Sequence, residues 1–191
     1  MVQKEKAKPK SKKHKPYERA AYPGQKVQVD VKFVPEHCCS DGKKYYQYTA
    51  KDERSCWTYR QLHEEHSTYS SFAFLKSLIA ATLFPIHKIQ MDNGTEFTNA
   101  LITSKSKHMS LFENALRQYD IEYQRIRIGT PQHNGKVERQ HRIDEMRFYR
   151  NMRMHSLEDG RRQLEKYQRL SNNSLDMKSP NQVLAMFLGI M

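Results

Sequence analysis

Three observations place this chain in the α/β class, as a five-stranded mixed sheet flanked by helices with a short helical extension at the C-terminus. An early stretch alternates between apolar and polar residues, and two aromatic-rich stretches follow it closely. Helical and extended patterns then take turns along the chain, which predicts strands brought side by side through helical crossovers. The length, 191 residues, suffices for one domain with a real core plus tails.

Strand one is predicted over about 26–34. Val27, Val29, Val31 and Phe33 point to one face, and Gln28, Asp30 and Lys32 to the other. Ser40-Asp41-Gly42 turns the chain into a second strand, 44–50, carrying Tyr45, Tyr46 and Tyr48; 56–62 completes the meander. A helix over 68–83 follows, with Phe72, Leu75, Ile79 and Leu83 as its buried stripe, and Pro85 ends it. Strand four is 87–91, a helix lies near 109–119, and strand five is 122–128. Another helix starts after Asn134-Gly135 and runs to about 151. Ser156-Leu157-Glu158-Asp159 opens a helix through about 171. Ser179-Pro180-Asn181-Gln182, with Gly189 beyond, frames the last one.

The net charge is +12 and the pI near 9.6. A polyanionic partner explains such a balance, and a well-solvated basic surface is the plainer alternative. Half of that charge, +6, lies in residues 1 to 20, a lysine-rich stretch too poor in apolar groups to fold alone. No apolar run approaches the roughly 20 residues needed to span a bilayer, so no membrane partner is expected. Cys38, Cys39 and Cys56 suit a reducing compartment better than a disulfide framework. Without a Cys-x-x-Cys they are expected to be free thiols rather than zinc ligands.

Three carboxylates stand in separate local patterns. Asp30 is in mid-strand, Asp92 closes strand four before Asn93-Gly94, and Glu138 falls in the first turn of a helix. Two have a plain reading, Asp30 as a solvent-facing strand charge and Asp92 as a turn former, while for Glu138 the exposed N–H groups of the helix start favour an ionised carboxylate. Together they offer the oxygen ligands that magnesium takes while leaving positions to water and phosphate. Two such ions about 4 Å apart can clamp the attacking and leaving oxygens of a phosphodiester displacement. Glu96 is expected to be solvated or to stand behind the ligands, Phe97 to anchor the loop by packing, and His133 to cap locally. The tyrosines of strand two are expected to pack rather than stack bases.

The runs Val27 to Lys32, Met91 to Phe97 and Thr130 to Arg139 resemble the three acidic blocks of the integrase core shared by bacterial insertion-sequence transposases and retroviral integrases. The likeness extends over about 24–190 and is closer to the bacterial transposases. Glu138 lies 46 positions after Asp92. That gap is longer than is usual in retroviral integrases, and the polar stretch 99–108 is expected to absorb it in a loop. The resemblance implies a ribonuclease-H-like fold, which the order of elements also matches. It implies a DDE transposase core with Asp30, Asp92 and Glu138 as catalytic metal ligands and two Mg2+ or Mn2+ ions. DNA, as transposon ends and target duplex, is the implied partner. The helix start, whose N–H groups can hold a phosphate, would meet it through the backbone of Asn134 and Gly135. Lys136, Arg139 and Arg142 are expected as phosphate contacts, with a solvated basic face as their plain alternative. A homo-oligomer, a separate helix-turn-helix subunit and a bacterial cytoplasmic, nucleoid-associated setting follow from the same likeness. The expected organisation is a basic tail over 1–22, the catalytic core over 23–152 and a helical extension over 153–191. Residues of an end-recognition domain are expected to be missing, as in a truncated or split transposase. An inactive DNA-binding remnant and a ribonuclease-H-like nuclease are the two other readings of the same acids.

Overall fold

The computed structural model describes residues 19–92, 94–98, 109–126, 134–173 and 178–190. The lysine-rich start, Asn93, the 99–108 stretch and Thr130 to His133 lie outside the described residues, and with them the His133 expectation. Five strands form one sheet in the order β3-β2-β1-β4-β5. Strands β1 (Val27–Phe33), β2 (Tyr46–Asp52) and β3 (Thr58–His63) form an antiparallel meander. Strands β4 (Lys88–Met91) and β5 (Glu122–Arg125) continue it in parallel with β1. Helices α1 (Thr68–Ala81) and α2 (Leu111–Gln118) make the crossovers that parallel pairing requires.

The alternation of β1 decides which face each helix covers. Val27 and Val29 join Tyr48, Ile89 and Met91 in the main core, beneath Phe74, Leu75 and Leu78 of α1 and Phe112 and Leu116 of α2. The buried stripe of α1 differs from the predicted one. Ser71, Phe74, Leu75 and Leu78 face the sheet, Phe72 and Ile79 lie at the margin, and Leu83 is 74% exposed beyond the helix end. Two apolar stripes interleave in this sequence. The serines let the helix sit close, because the Ser71 hydroxyl donates to the Ser67 carbonyl and needs no water.

The other face carries α3 (Gly135–Asp144), which continues through a π-helical turn, Glu145–Tyr149. Helix α4 (Leu157–Asn173) follows, and α5 (Pro180–Leu188) closes the chain with the predicted Ser179 capping box and Gly189 in the left-handed region. A second apolar cluster fills this side, including Tyr45, Leu62, Tyr149 and Leu164. Cys38 and Cys39 lie in it as free thiols, the former donating to the Tyr149 carbonyl. Among the described residues no helix is long and apolar enough to cross a membrane.

Asp144 ties α3 to its surroundings. Its carboxylate accepts both forks of Arg60 at 2.8 and 3.0 Å, and further bonds from Gln47, Gln140 and Tyr167. Burial pushes this acid up, but the Arg60 charge and the hydrogen bonds outweigh it and hold it below the ordinary carboxylate range. Helix α4 also shields the free edge of β3. Asn172 pairs with both backbone groups of Thr58, Gln168 accepts from the Arg60 N–H, and Arg161 donates to the Leu62 carbonyl. Side-chain amides thus do for this edge what a sixth strand would do.

Arg60→Met should lower stability by about 3–5 kcal/mol in chemical denaturation, because it strands a buried carboxylate. The Asp144 contribution should be present at neutral pH and fade as pH falls through 4 and below, since its folded-state value is depressed. A loss under about 1 kcal/mol would show that water reaches the ion pair.

Candidate active site

The three acids arrive on separate elements and are brought to one end of the sheet. In the parallel pair β1–β4, Val27 faces Ile89 and Gln28 faces Gln90. The same register carried forward sets Asp30 beside Asp92. The Asp30 carboxylate is a fifth exposed, and its Oδ1 accepts the Val31 N–H at 3.0 Å. Asp92 Oδ1 accepts the Gly94 N–H at 2.9 Å, which closes a turn and holds that carboxylate at the strand end.

Gln28, one side-chain step before Asp30 on the same face, sets the third acid. Its Oε1 accepts the backbone N–H groups of Lys136 and Val137 at 3.1 and 3.2 Å. Its Nε2 donates to Glu53. A side chain of β1 therefore caps α3 from outside the helix. Asn134 holds the N-cap position but does not cap with its side chain. The amide is buried and donates to the Val29 carbonyl at 3.3 Å. Glu138, half-buried, follows in the next position of α3.

One turn further, His141 Nδ1 lies 3.5 Å from Asp30 Oδ2. Burial drives this imidazole down to about 4, so it is neutral at pH 7 and does not balance the acid. Asp30 is pushed up to about 7, first by burial and then by the charge of Asp92, with Glu138 and Glu96 adding to it. Of the two places expected for Glu96, solvent is excluded by its burial. It is 5% exposed, bonded to His66 Nε2 at 2.8 Å, and folded so close over Gly94 that a Cβ there would lie 2.3 Å from its Oε1. Phe97 is buried against Tyr48 and Phe112, as its anchoring role requires. Ser110 Oγ donates to the Phe97 carbonyl, and Thr98 donates to Glu113. Both ends of the 99–108 stretch are thereby tied together.

Among the described residues, no three His, Cys, Asp or Glu side chains are already gathered as a metal site. Burial raises Asp30 first and the charges of Asp92, Glu138 and Glu96 add to it, so opposite charge placed there would favour its ionised form. The donors are oxygens with uncompensated charge, which fits a hard divalent cation. Of the expected DNA contacts, Arg139 and Arg142 are exposed on α3, and Gly135 is partly open. Lys136 Nζ donates to the Glu53 carbonyl, and two of the N–H groups at the helix start are taken by Gln28. Sequence reasoning missed Gln28 and His141. The second had a signal in its spacing of three from Glu138, which puts both on one helical face.

The family profile described as Integrase core domain matches residues 20–131, more than half of the chain. That span contains Asp30 and Asp92 and ends before Glu138. The ORF3 protein of Spiroplasma virus SpV1-C74, which carries an integrase name, is 33% identical over 122 residues, 60% of this chain and 33% of its own length. The chain thus covers about a third of that relative. Among solved structures it is similar to a chain of the simian T-cell lymphotropic virus intasome in complex with PP2A regulatory subunit B56 gamma. The TM-score is 0.69 at 18% identity, over 87% of this chain and 56% of that one. It is also similar to the HTLV-2 integrase catalytic core domain in complex with magnesium, solved in trimeric and dimeric forms. Both give a TM-score of 0.63 at 18% identity, over 86% of this chain and 99% of that one. At such identities the likeness is one of fold, and the fold is the ribonuclease-H-like fold of retroviral integrase cores.

Two outcomes follow from this geometry in metal-free buffer. The folded-state value of Asp30 is raised, so its stabilising effect is full below about pH 4 and is lost as pH rises through 7. Asp30→Asn should therefore raise the melting temperature at pH 8 by roughly 3–8 °C, about 1–2 kcal/mol for a chain of this size, and change it little at pH 4. An equal effect at both pH values would mean that Asp30 carries no extra proton. Gln28→Ala should cost about 2 kcal/mol in denaturant unfolding by leaving two helix N–H groups unpaired. Gln28→Glu keeps the acceptor but sets a second buried carboxylate against Glu53 in place of the Nε2 donor, and should cost at least as much.

Proposed function

This chain belongs to the integrase core domain family, and we propose that it is the catalytic core of a DDE-type transposase or integrase. Such an enzyme nicks DNA by hydrolysis, and the freed 3′-hydroxyl then attacks a target phosphodiester, joining the strands as the target's own 3′-hydroxyl leaves. One observation carries the reading: Asp92 and Glu138, from different elements, both act by charge on a part-buried Asp30. A strand acid kept only for solubility would not be drawn in among other acids. The neighbours of Glu138, from Asn134 to Arg139, favour the transposase branch.

Asp30, Asp92 and Glu138 would hold the metal. Two Mg2+ or Mn2+ ions bound there would stabilise the attacking and leaving oxygens of an in-line phosphoryl transfer. The chain's own part is to orient the ligands. The Gly94 N–H steadies one oxygen of Asp92, the Val31 N–H one oxygen of Asp30, and Gln28 keeps α3, and so Glu138, seated on β1. Asp30 gives up its proton when opposite charge arrives. His141 stays neutral beside it and adds no competing positive charge. DNA is the proposed substrate, supported by the net charge and by exposed Arg139 and Arg142. The oligomeric HTLV-2 forms support a homo-oligomer for this chain.

Magnesium-dependent nicking of supercoiled or end-bearing duplex DNA should fall by roughly a hundredfold or more in Asp92→Asn, with the circular dichroism spectrum unchanged. Unchanged nicking by that variant would sink the assignment. Cleavage confined to RNA–DNA hybrids would replace the transposase reading with that of a ribonuclease-H-like nuclease.

A further inference from the structure

A row of rings borders the acidic site on the other face of the sheet. Phe33 ends β1 with 64% of its surface exposed, three residues beyond Asp30. Its ring lies 5.1 Å from Tyr46, its cross-strand partner, and Tyr46 stacks on His66 at 5.3 Å with an interplanar angle of 13°. His66 then bonds Glu96, whose carboxylate covers Gly94 in the Asp92 turn. Tyr45 and Tyr48, the other two tyrosines of the run, are buried in the two cores. The expectation that this run only packs therefore holds for two of the three rings, while Tyr46 carries a stack toward the surface.

A single exposed phenylalanine needs no explanation. A stack that ends in one, and that is bonded at its inner end to the turn holding a catalytic acid, is a different arrangement. Three residues of β-strand span roughly 10 Å, so the Phe33 backbone lies about three nucleotide steps along β1 from Asp30, and its ring, on the opposite face, is reached over the end of the strand. Aromatic rings take up unpaired bases of any identity, because every base has a π-face.

We propose that Phe33, backed by Tyr46 and His66, is a stacking platform for one unpaired base of the DNA strand that lies across Asp30 and Asp92. The proposal rests on the DNA strand-transfer reading and deepens it by naming the side chain that takes an unpaired base beside the acids. Phe33 touches the base, while His66 and Glu96 hold the row in line with the Asp92 turn.

The test uses the full chain and two duplexes of equal length and charge, one blunt and one with two unpaired 3′ nucleotides, the last being 2-aminopurine. Binding is read in the absence of divalent metal, so it does not depend on cleavage. The chain should bind the frayed end about tenfold more tightly than the blunt one, within what one stacked base contributes, and should quench the 2-aminopurine. Phe33→Ala should lose both the preference and the quenching while binding the blunt duplex as before, and Phe33→Trp should restore them. Equal affinity for the two duplexes, or quenching that persists in Phe33→Ala, would overturn the platform. An unaltered chain that stacks the base yet never nicks DNA in magnesium would fail the strand-transfer reading and not this one.

Discussion

The site depends on one side-chain amide. Gln28 is buried in the central strand, receives two N–H groups from the first turn of α3 and donates to Glu53. A helix start packed against a sheet has donors that water no longer reaches, and each left unpaired costs about 1–3 kcal/mol. Gln28 removes that cost and, in the same contact, sets how far Glu138 stands from Asp30. The far end of α3 is held independently by Asp144, whose five hydrogen bonds come from β2, β3, α4 and α3 itself. Fixed at both ends, the helix cannot slide along β1 without breaking buried polar contacts.

That rigidity permits an electrostatic arrangement that would otherwise relax. Three acids, Asp92, Glu138 and Glu96, act by charge on Asp30, while the imidazole beside it, His141, is mostly buried and neutral. In a looser scaffold the carboxylates would turn to solvent. Here Asp30 is raised to about 7 instead, by burial first and by the charge of Asp92 next, a pressure that the proposed divalent cation would relieve. Glu96 belongs to the same field but is bonded to His66, which separates it from the three proposed ligands.

The C-terminal helices have a structural task that their distance from the acids conceals. Helix α4 lays Asn172, Gln168 and Arg161 along the backbone of β3, the edge strand next to β2. An uncovered edge would invite pairing with another chain. Through Tyr167, which donates to Asp144, the same helix reaches the network that fixes α3. Edge protection and site geometry are thus coupled through one buried carboxylate.

What was legible in the sequence was local. The alternation around Asp30, the Asp92–Gly94 turn and the Ser179 capping box each depend on residues within a few positions of one another, so pattern alone predicted them, along with the order of strands and helices. The stripe of α1 was misjudged by one position, because two apolar stripes interleave and only the sheet beneath selects Phe74 and Leu78. Gln28 read as an ordinary polar strand residue, since its partners lie more than a hundred positions away. The burial of Glu96, the neutrality of His141 and the pairing of Arg60 with Asp144 were equally hidden. Local sequence determines dihedral preference and which face is apolar. Which buried polar groups find each other is decided by chain closure, where desolvation makes every unpaired group costly and tertiary packing alone supplies the partner.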